Sequence, residues 1–173
     1  NLTAKAGARF ITIYNAENVL IANNTMNLTS IMYLDYMNWF EEDTNSINVR
    51  FEKNNIELNA ESSMYNRVFS NIDNINKNTI RLNIGIESLF FNCLNVCEDN
   101  ISIISKIQQK NASIFRISNL DNPMLIQNNT FNINAEVDPE VKEIRFFNFI
   151  NGELNGNKVV ISNNNVVDNL NGA

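Results

Sequence analysis

The strongest candidate for chemistry is a short aromatic and acidic segment, MNWFEEDTNS. It places Trp39 and Phe40 directly before Glu41, Glu42 and Asp43. An aromatic ring can stack on a sugar, and several carboxylates together suit a hard cation such as Ca²⁺. The segment therefore predicts a carbohydrate- or ion-binding loop, although it lacks the alternating ligands and glycine of an EF-hand loop. The alternative is an aromatic pair that folds the loop back onto the protein and leaves the acidic side chains solvated.

Histidine and cysteine limit the chemistry further. The chain has no histidine, which excludes Ser-His-Asp and Cys-His nucleophile systems, His-containing zinc sites and histidine pH switches. Cys93 and Cys97 lie in FNCLNVCED, where their spacing differs from that of a CxxC motif and no second pair completes a tetrahedral site. We expect no metal and two small buried residues. A disulfide between them would need a turn that brings their Cα atoms within about 7 Å.

Composition indicates one folded domain that spans residues 1–173. The hydrophobic fraction is 44% and the formal net charge is −6, so the chain can bury a core and has no basic cluster for nucleic acid. The longest apolar run is too short to span a bilayer. The first residues, NLTAKAGARF, contain no signal peptide and no initiator methionine, and the repeating pattern continues to the last residues. We therefore expect an internal segment of a longer chain.

Asparagine marks a repeat. The chain has 37 asparagines but only 5 glycines and 2 prolines. Paired asparagines follow a short β-branched run and precede another apolar run in NVLIANNTMNL, INVRFEKNNIEL, PMLIQNNTFNI and KVVISNNNVVDN. The pairs begin at 23, 54, 128 and 163, and the gap of 74 residues is about twice the other two. A degraded fifth copy is therefore expected near residue 91, and the predicted corner residues are Asn23, Asn24, Asn54, Asn55, Asn92, Asn128, Asn129, Asn163 and Asn164.

Tight bends explain the asparagines. A turn of one or two residues between strands needs a left-handed backbone conformation, which asparagine tolerates better than other non-glycine residues. Its side-chain amide can also bond to the equivalent amide in a stacked repeat. FITIYNAENVLIANNTMNL aligns with IFRISNLDNPMLIQNNTFNI as three short strands joined by two asparagine turns. Three strands per repeat describe one turn of a parallel coil.

These strings resemble the second strand, asparagine turn and third strand of the right-handed parallel β-helix of the pectin-lyase-like superfamily. The resemblance implies an all-β solenoid of about five coils with three short strands each. The expected coils cover residues 10–28, 31–58, 64–96, 101–133 and 144–169. It does not specify function, because polysaccharide lyases and hydrolases, phage tailspikes, adhesins and large surface proteins without known activity share the fold.

Catalysis would require acidic groups on the outward face of the first strands. In polysaccharide lyases of this fold, calcium ligands and a basic proton abstractor lie there. The corresponding stretches offer Asp35, Arg67, Arg116 and Arg145, with Arg116 and Arg145 expected to stack on adjacent coils. Calcium-dependent elimination and glycoside hydrolysis normally use at least two acidic groups close together. We therefore expect no catalytic residues and solvated arginines on this face.

Insertions and glycosylation sequons mark the remaining surface. The first corners of coils two, three and five are expected to carry MNWFEEDTNS, SNIDNINKN and NFINGELNGN, and such insertions usually gather on the functional face. Six Asn-x-Ser/Thr sequons occur, two of them in the predicted corners. Composition alone accounts for most of the six, and we expect glycosylation at the four sequons outside the predicted corners, Asn1, Asn27, Asn100 and Asn111.

Two functions from different classes remain. The first is a non-enzymatic extracellular structural or adhesive module of a large surface or filament protein, with neighbouring coils or chains of the same assembly as partners. The alternative is a carbohydrate-active fragment, such as a polysaccharide lyase or a tailspike-like glycoside hydrolase, with polysaccharide as its partner. Neither requires a cofactor other than calcium. Absence of paired acidic residues in the first strands favours the structural module.

Overall fold

A computed structural model describes residues 8–30, 34–42, 45–60, 63–83, 91–107, 111–117, 124–137, 143–149 and 159–168. These residues form sixteen strands and no helix. The strands are β1 (Ala8–Ile13), β2 (Leu20–Ala22), β3 (Thr25–Ser30), β4 (Leu34–Glu42), β5 (Arg50–Glu52), β6 (Asn55–Ala60), β7 (Ser63–Asn76), β8 (Thr79–Asn83), β9 (Phe91–Glu98), β10 (Ile101–Ile107), β11 (Asn111–Ile117), β12 (Met124–Gln127), β13 (Thr130–Val137), β14 (Glu143–Phe149), β15 (Val159–Ser162) and β16 (Asn165–Asp168).

Every pairing between these strands is parallel, which confirms the predicted all-β parallel solenoid. The first strands stack in the order β1-β4-β7-β9-β11-β14, and the third strands stack as β3-β6-β8-β10-β13-β16. The second strands are β2, β5, β12 and β15, with the last residues of β7 and β9 in the same stack. First and second strands form one sheet, and third strands form the other.

The described residues make six coils, one more than the asparagine spacing predicts. We number them coil 1 (β1–β3), coil 2 (β4–β6), coil 3 (β7 and β8), coil 4 (β9 and β10), coil 5 (β11–β13) and coil 6 (β14–β16). The range 64–96 was expected to be one coil, but β8 ends coil 3 and β9 begins coil 4. The long gap between asparagine pairs hides two corners, Lys77-Asn78 and Asp99-Asn100, in which only the second residue is asparagine.

The core lies between the two sheets, and β5, β6, β8 and β12 each contribute alternate residues to it. In β8, Ile80 and Leu82 are buried while Arg81 and Asn83 are exposed, as expected for strands whose side chains alternate between faces. Phe40, Phe51 and Phe69 form an aromatic triangle with ring centroids 5.0 to 5.4 Å apart. Burial of each such side chain stabilises the fold by ~1.5–3 kcal/mol.

Backbone register extends the aromatic position through the stack. Phe40 pairs with Phe69, and the column continues through the next three coils. Coils 2 to 6 therefore place a phenylalanine at the same position of the first strand, at Phe40, Phe69, Phe91, Phe115 and Phe147, whereas coil 1 has Ile11 there.

The first corner, between the first and second strands, varies in length. It covers residues 14–19 in coil 1, whereas β7 and β9 run through the corresponding bend of coils 3 and 4 without a break. In β7 the bend occurs at Asn71, which has φ 61°. The predicted insertion SNIDNINKN is therefore wrong, because its residues belong to β7 and the turn that follows. Most of the predicted loop MNWFEEDTNS likewise belongs to a strand, β4.

Candidate functional site

An asparagine ladder runs along the second corner, between the second and third strands. Six asparagines stack in register, one from each coil: Asn24, Asn54, Asn78, Asn100, Asn129 and Asn164. The side-chain Nδ2 of each donates to Oδ1 of the next at 2.9–3.1 Å. The backbone N–H of each also donates to that same Oδ1 at 3.0–3.1 Å. The ladder therefore has one direction along the coil axis.

The second Nδ2 hydrogen of an inner rung also forms a hydrogen bond. Asn78 Nδ2 donates to the backbone oxygen of Phe51 at 2.9 Å, and Asn100 Nδ2 donates to that of Ile75 at 2.7 Å. In both cases the acceptor belongs to the preceding coil. Both donors and both acceptor positions of an inner amide are thus used, as a buried amide requires. A fully satisfied polar network in a low-dielectric core makes the stack rigid.

The two residues of each corner have separate roles. The first residue has a left-handed backbone, with φ between 53° and 58°, and is asparagine, lysine or aspartate: Asn23, Lys53, Lys77, Asp99, Asn128 and Asn163. The second residue is the ladder asparagine in all six described corners. Left-handed conformation is therefore supplied by several residue types, while the ladder position requires an amide that donates and accepts at once.

Two of the predicted corner asparagines do not lie at corners, and two rungs of the ladder were not predicted. Asn55 is the first residue of β6, and Asn92 lies within β9, so neither is a corner. The missed rungs are Asn78 and Asn100, in KNT and DNI. Their signal was a single asparagine after a charged residue and before a β-branched one, a pattern that a search for asparagine pairs overlooks.

Trp39 and Phe40 do not form a sugar-stacking platform. Their side chains are 1% and 0% exposed, and both residues lie in β4. Phe40 belongs to the aromatic triangle of the core. The carbohydrate-binding prediction for these two rings is therefore wrong, because the strand that was taken for a loop buries them.

The acidic residues of the same segment lie in different environments. Glu41 forms an ion pair with Arg9 of coil 1, with Oε2 and Nε 2.5 Å apart. Glu42 is buried and its Oε2 accepts the backbone N–H of Asp73 at 3.3 Å. Asp73 is also buried, and its Oδ2 accepts the N–H of Val49 at 2.9 Å. Asp43 lies outside the described residues.

The paired carboxylates therefore hold the first corner together. Glu42 and Asp73 are both buried, and each accepts a main-chain N–H from a neighbouring coil. No group of three or more potential metal-ligating Cys, Asp or Glu side chains occurs in the described part of the chain.

The arginines of the first strands do not form a stacked pair. Register pairs Arg116 with Asn148 and Arg145 with Ser113, so the two arginines lie three positions apart. Arg67 of β7 pairs with Asn38 and is half-buried. Asp35 lies in β4. The predicted Arg116–Arg145 stack is therefore wrong, because strand register offsets them.

The disulfide considered above is not formed, because Cys97 is present as a thiol. Both cysteines belong to β9, with Cys93 beside Ile72 in the first-strand stack and Cys97 beside Ile75 in the second-strand stack. Cys97 is buried in the second-strand column between Ile75 and Ile126 and accepts a hydrogen bond from Asn100 Nδ2 at 3.5 Å.

Sequon positions differ sharply in accessibility. Asn100 is 1% exposed and its Nδ2 is a ladder donor, so a glycan on that nitrogen is incompatible with the fold and this prediction is wrong. Asn27 is exposed on the third-strand face. Asn111 is the first residue of β11, and Asn1 lies outside the described residues. Asn27 thus has an exposed side chain, as do Asn23 and Asn128, the two sequon residues at corners.

A shallow groove crosses the third-strand face of coils 2 to 4. Arg81 lines it and donates from Nη1 to Asn55 Oδ1 at 2.6 Å. Asn59 Nδ2 donates to Glu57 Oε1 at 3.4 Å. The groove therefore offers a guanidinium, a carboxylate and amides together with apolar side chains. It has a volume of about 330 Å³ and is lined by Glu57, Asn59, Arg81, Leu82, Asn83 and Ile103.

Comparison of the chain with protein-family models, with curated proteins and with solved structures finds no match. The functional argument therefore rests on the residues of this chain. Within the ranges that the structure describes, no helix has the length and apolarity needed to cross a bilayer.

Proposed function

We propose that this chain is a non-enzymatic structural module of a larger extracellular surface or filament protein, in which the solenoid supplies length and rigidity. We also infer from the asparagine corners that it is a right-handed β-helix of the pectin-lyase-like superfamily. The observation that carries the proposal is the uninterrupted ladder of Asn24, Asn54, Asn78, Asn100, Asn129 and Asn164. A continuous hydrogen-bonded column along the coil axis suits a rod that bears load.

The distribution of acidic residues supports a structural role. Glu42 and Asp73 are both buried, and a main-chain N–H donates to each of them. Glu41 is engaged by Arg9. Glycoside hydrolysis needs two carboxyl groups that face substrate, about 5 to 9.5 Å apart. The buried pair has no path to a polymer, so its contribution is to the fold.

Incubation with acidic and neutral polysaccharides tests the absence of catalysis. We expect no new reducing ends and no unsaturated product that absorbs in the ultraviolet, with an active polysaccharide lyase as positive control. Product formation by the purified chain would overturn the structural proposal. Antibody labelling of intact source cells tests location, and staining that requires permeabilisation would contradict a surface role.

The groove on the third-strand face favours a second candidate, carbohydrate binding without cleavage. Amides, a carboxylate and a guanidinium can bond to hydroxyl and carboxylate groups of a saccharide, while Ile103 offers apolar contact. Calorimetric titration with acidic oligosaccharides tests this candidate. Arg81→Ala should abolish binding, whereas Lys77→Ala, at an exposed corner of the same coil, should leave it intact. Equal loss in both variants would contradict a site in the groove.

A further inference from the structure

The groove on the third-strand face brings two opposite charges side by side. Glu57 of β6 and Arg81 of β8 are register partners on adjacent strands, and both line the groove. Paired strands lie ~4.8 Å apart, so side chains of opposite charge at such positions attract each other directly. In the described part of the chain, however, these two side chains form no ion pair with each other. Each charge is therefore available for another partner.

Two asparagines of coil 2 hold the charged groups apart. Asn55, two residues before Glu57, accepts from Arg81 Nη1, whereas Asn59, two residues after it, donates to Glu57 Oε1. The guanidinium is thus drawn toward the start of β6 and the carboxylate toward its end. Each bond uses only part of the hydrogen-bonding capacity of a guanidinium or a carboxylate. Donors of Arg81 and an acceptor oxygen of Glu57 remain for a ligand.

The next coil adds an apolar side chain beside these charges. Ile103 of β10 is the register partner of Arg81 on the side away from Glu57, and it lines the same groove. The groove has a volume of about 330 Å³, which is near the lower end of the range of roughly 300–1,000 Å³ for small-molecule sites. It therefore suits a compact ligand with polar groups at one end and carbon-bound hydrogens at the other.

Charge complementarity limits what this ligand is. A ligand with only negative charge is attracted by Arg81 but repelled by Glu57 and by the net charge of −6. A ligand with only positive charge is repelled by the neighbouring guanidinium. A ligand that carries both a carboxylate and an ammonium pairs each of its charges with the opposite charge of the groove. The pair of charges therefore favours a zwitterion.

We propose that the groove binds a zwitterionic amino sugar. The planar guanidinium of Arg81 pairs with the carboxylate of the ligand, because its parallel N–H groups match the two carboxylate oxygens. Glu57 accepts from the ammonium group, Asn59 and Asn83 bond to ring hydroxyls, and Ile103 contacts the apolar face of the ring. The inference rests on the carbohydrate-binding candidate proposed for this groove and specifies the class of saccharide.

Calorimetric titration of the 173-residue chain with matched small molecules tests the proposal. Muramic acid carries an ammonium and a carboxylate on one sugar ring. N-acetylmuramic acid lacks the ammonium, glucosamine lacks the carboxylate, and L-alanine carries both charges without a ring. We expect muramic acid to bind at least about tenfold more tightly than each of the others, because each of them lacks one of the proposed contacts.

Variants of the two charged residues assign each preference to a side chain. Glu57→Gln keeps an acceptor oxygen but removes the charge, so muramic acid and N-acetylmuramic acid should bind about equally. Arg81→Gln should likewise remove the preference over glucosamine. Glu52→Gln, the same change on the second-strand face of coil 2, is the matched control and should keep both preferences. Thermal unfolding shows that each variant is folded, and the ligand comparison on the wild-type chain needs no variant.

The possible failures are distinguishable. Equal affinity for muramic acid, N-acetylmuramic acid and glucosamine would overturn recognition of a zwitterion and leave the carbohydrate-binding candidate standing. Equal affinity for L-alanine would show that the charges alone are recognised and would overturn the sugar class. A Glu57→Gln variant that keeps the wild-type preferences would place the site elsewhere and overturn the proposal. No binding of any saccharide, acidic oligosaccharides included, would refute both the candidate and this inference.

Discussion

The second corner of every described coil is built in one way, whereas the first corner differs from coil to coil. At the second corner, two residues suffice: one with φ between 53° and 58°, then a ladder asparagine. At the first corner, coil 1 uses residues 14–19 and coils 3 and 4 use no separate loop. The comparison shows that the ladder fixes the number of residues in the corner. Each rung must align with both neighbours, so an added residue would break two interfaces.

The first corner is instead held by contacts that do not repeat. Ser46 Oγ accepts the N–H of Ala16 at 3.2 Å, and Asp73 Oδ2 accepts that of Val49 at 2.9 Å. Each side chain satisfies one main-chain group of a neighbouring coil. One amide pair lies at this corner, where Asn48 Nδ2 donates to Asn18 Oδ1 at 2.7 Å, and among the described residues it does not extend into a ladder. We therefore expect a change in one coil to leave the others in place.

Loss of a central ladder rung should have the largest effect. Asn78→Leu removes an amide that accepts from Asn54 and donates to Phe51 and Asn100. Buried groups without partners cost about 1–3 kcal/mol each, so we expect a loss of roughly 3 kcal/mol in the free energy of unfolding. Chemical denaturation measures it. Asn83→Leu, at an exposed position of the same coil, is the control, and equal effects would contradict a special role for the rung.

Loss of a first-corner contact should cost less. Asp73→Ala leaves the N–H of Val49 without its acceptor, and we expect a loss of about 2 kcal/mol in unfolding free energy. Asp73→Asn keeps an acceptor oxygen and should lose less than half as much. If Asp73→Ala destabilises the fold more than Asn78→Leu does, the proposed contrast between the corners is wrong.

Relief of the left-handed backbone should stabilise the second corner. Lys77 has φ 56°, a conformation that costs a residue with a Cβ roughly 1–2 kcal/mol. Lys77→Gly should therefore raise the free energy of unfolding by up to about 1 kcal/mol, measured by thermal and chemical denaturation. Thr79→Gly, two residues later in β8, should lower it. A destabilising Lys77→Gly would show that the lysine side chain stabilises the corner.

Insertion into the first corner of coil 1 should have the smallest effect. Gly-Ser placed after the exposed Tyr14 lengthens a loop that no ladder constrains, and the entropic cost should be about 0.5 kcal/mol or less. The same insertion between Lys77 and Asn78 is the matched comparison and should abolish cooperative unfolding. Similar losses at both sites would remove the distinction between the corners.

Local sequence predicted the fold class better than the positions of individual residues. Paired asparagines at 23, 128 and 163 mark true corners, because both the left-handed residue and the rung are asparagine there. At Lys53-Asn54 the same search shifted the pair by one residue. It missed Asn78 and Asn100, whose preceding residues are charged. Corner geometry accepts several residue types at the first position, so a search for pairs finds only part of the repeat.

The candidate site was predicted less well, because burial is a property of the stack. From the sequence alone, Trp39, Phe40 and the acidic residues that follow them predict a binding loop. In the coil, register pairs Phe40 with Phe69 and brings Glu41 against Arg9. The partners come from coils that precede and follow by about thirty residues. The residues of the segment therefore do not indicate which strands it pairs with.

Short β-branched runs between tight asparagine turns predicted that this chain winds as a parallel solenoid, because runs that recur at regular spacing can stack and bury their apolar faces against one another. The tertiary structure decided the count of six coils, the identity of each ladder asparagine and the burial of the aromatic and acidic segment. The physical reason is that a hydrogen bond or a buried ring needs a partner in the neighbouring coil. Only the register between coils specifies which residue that partner is.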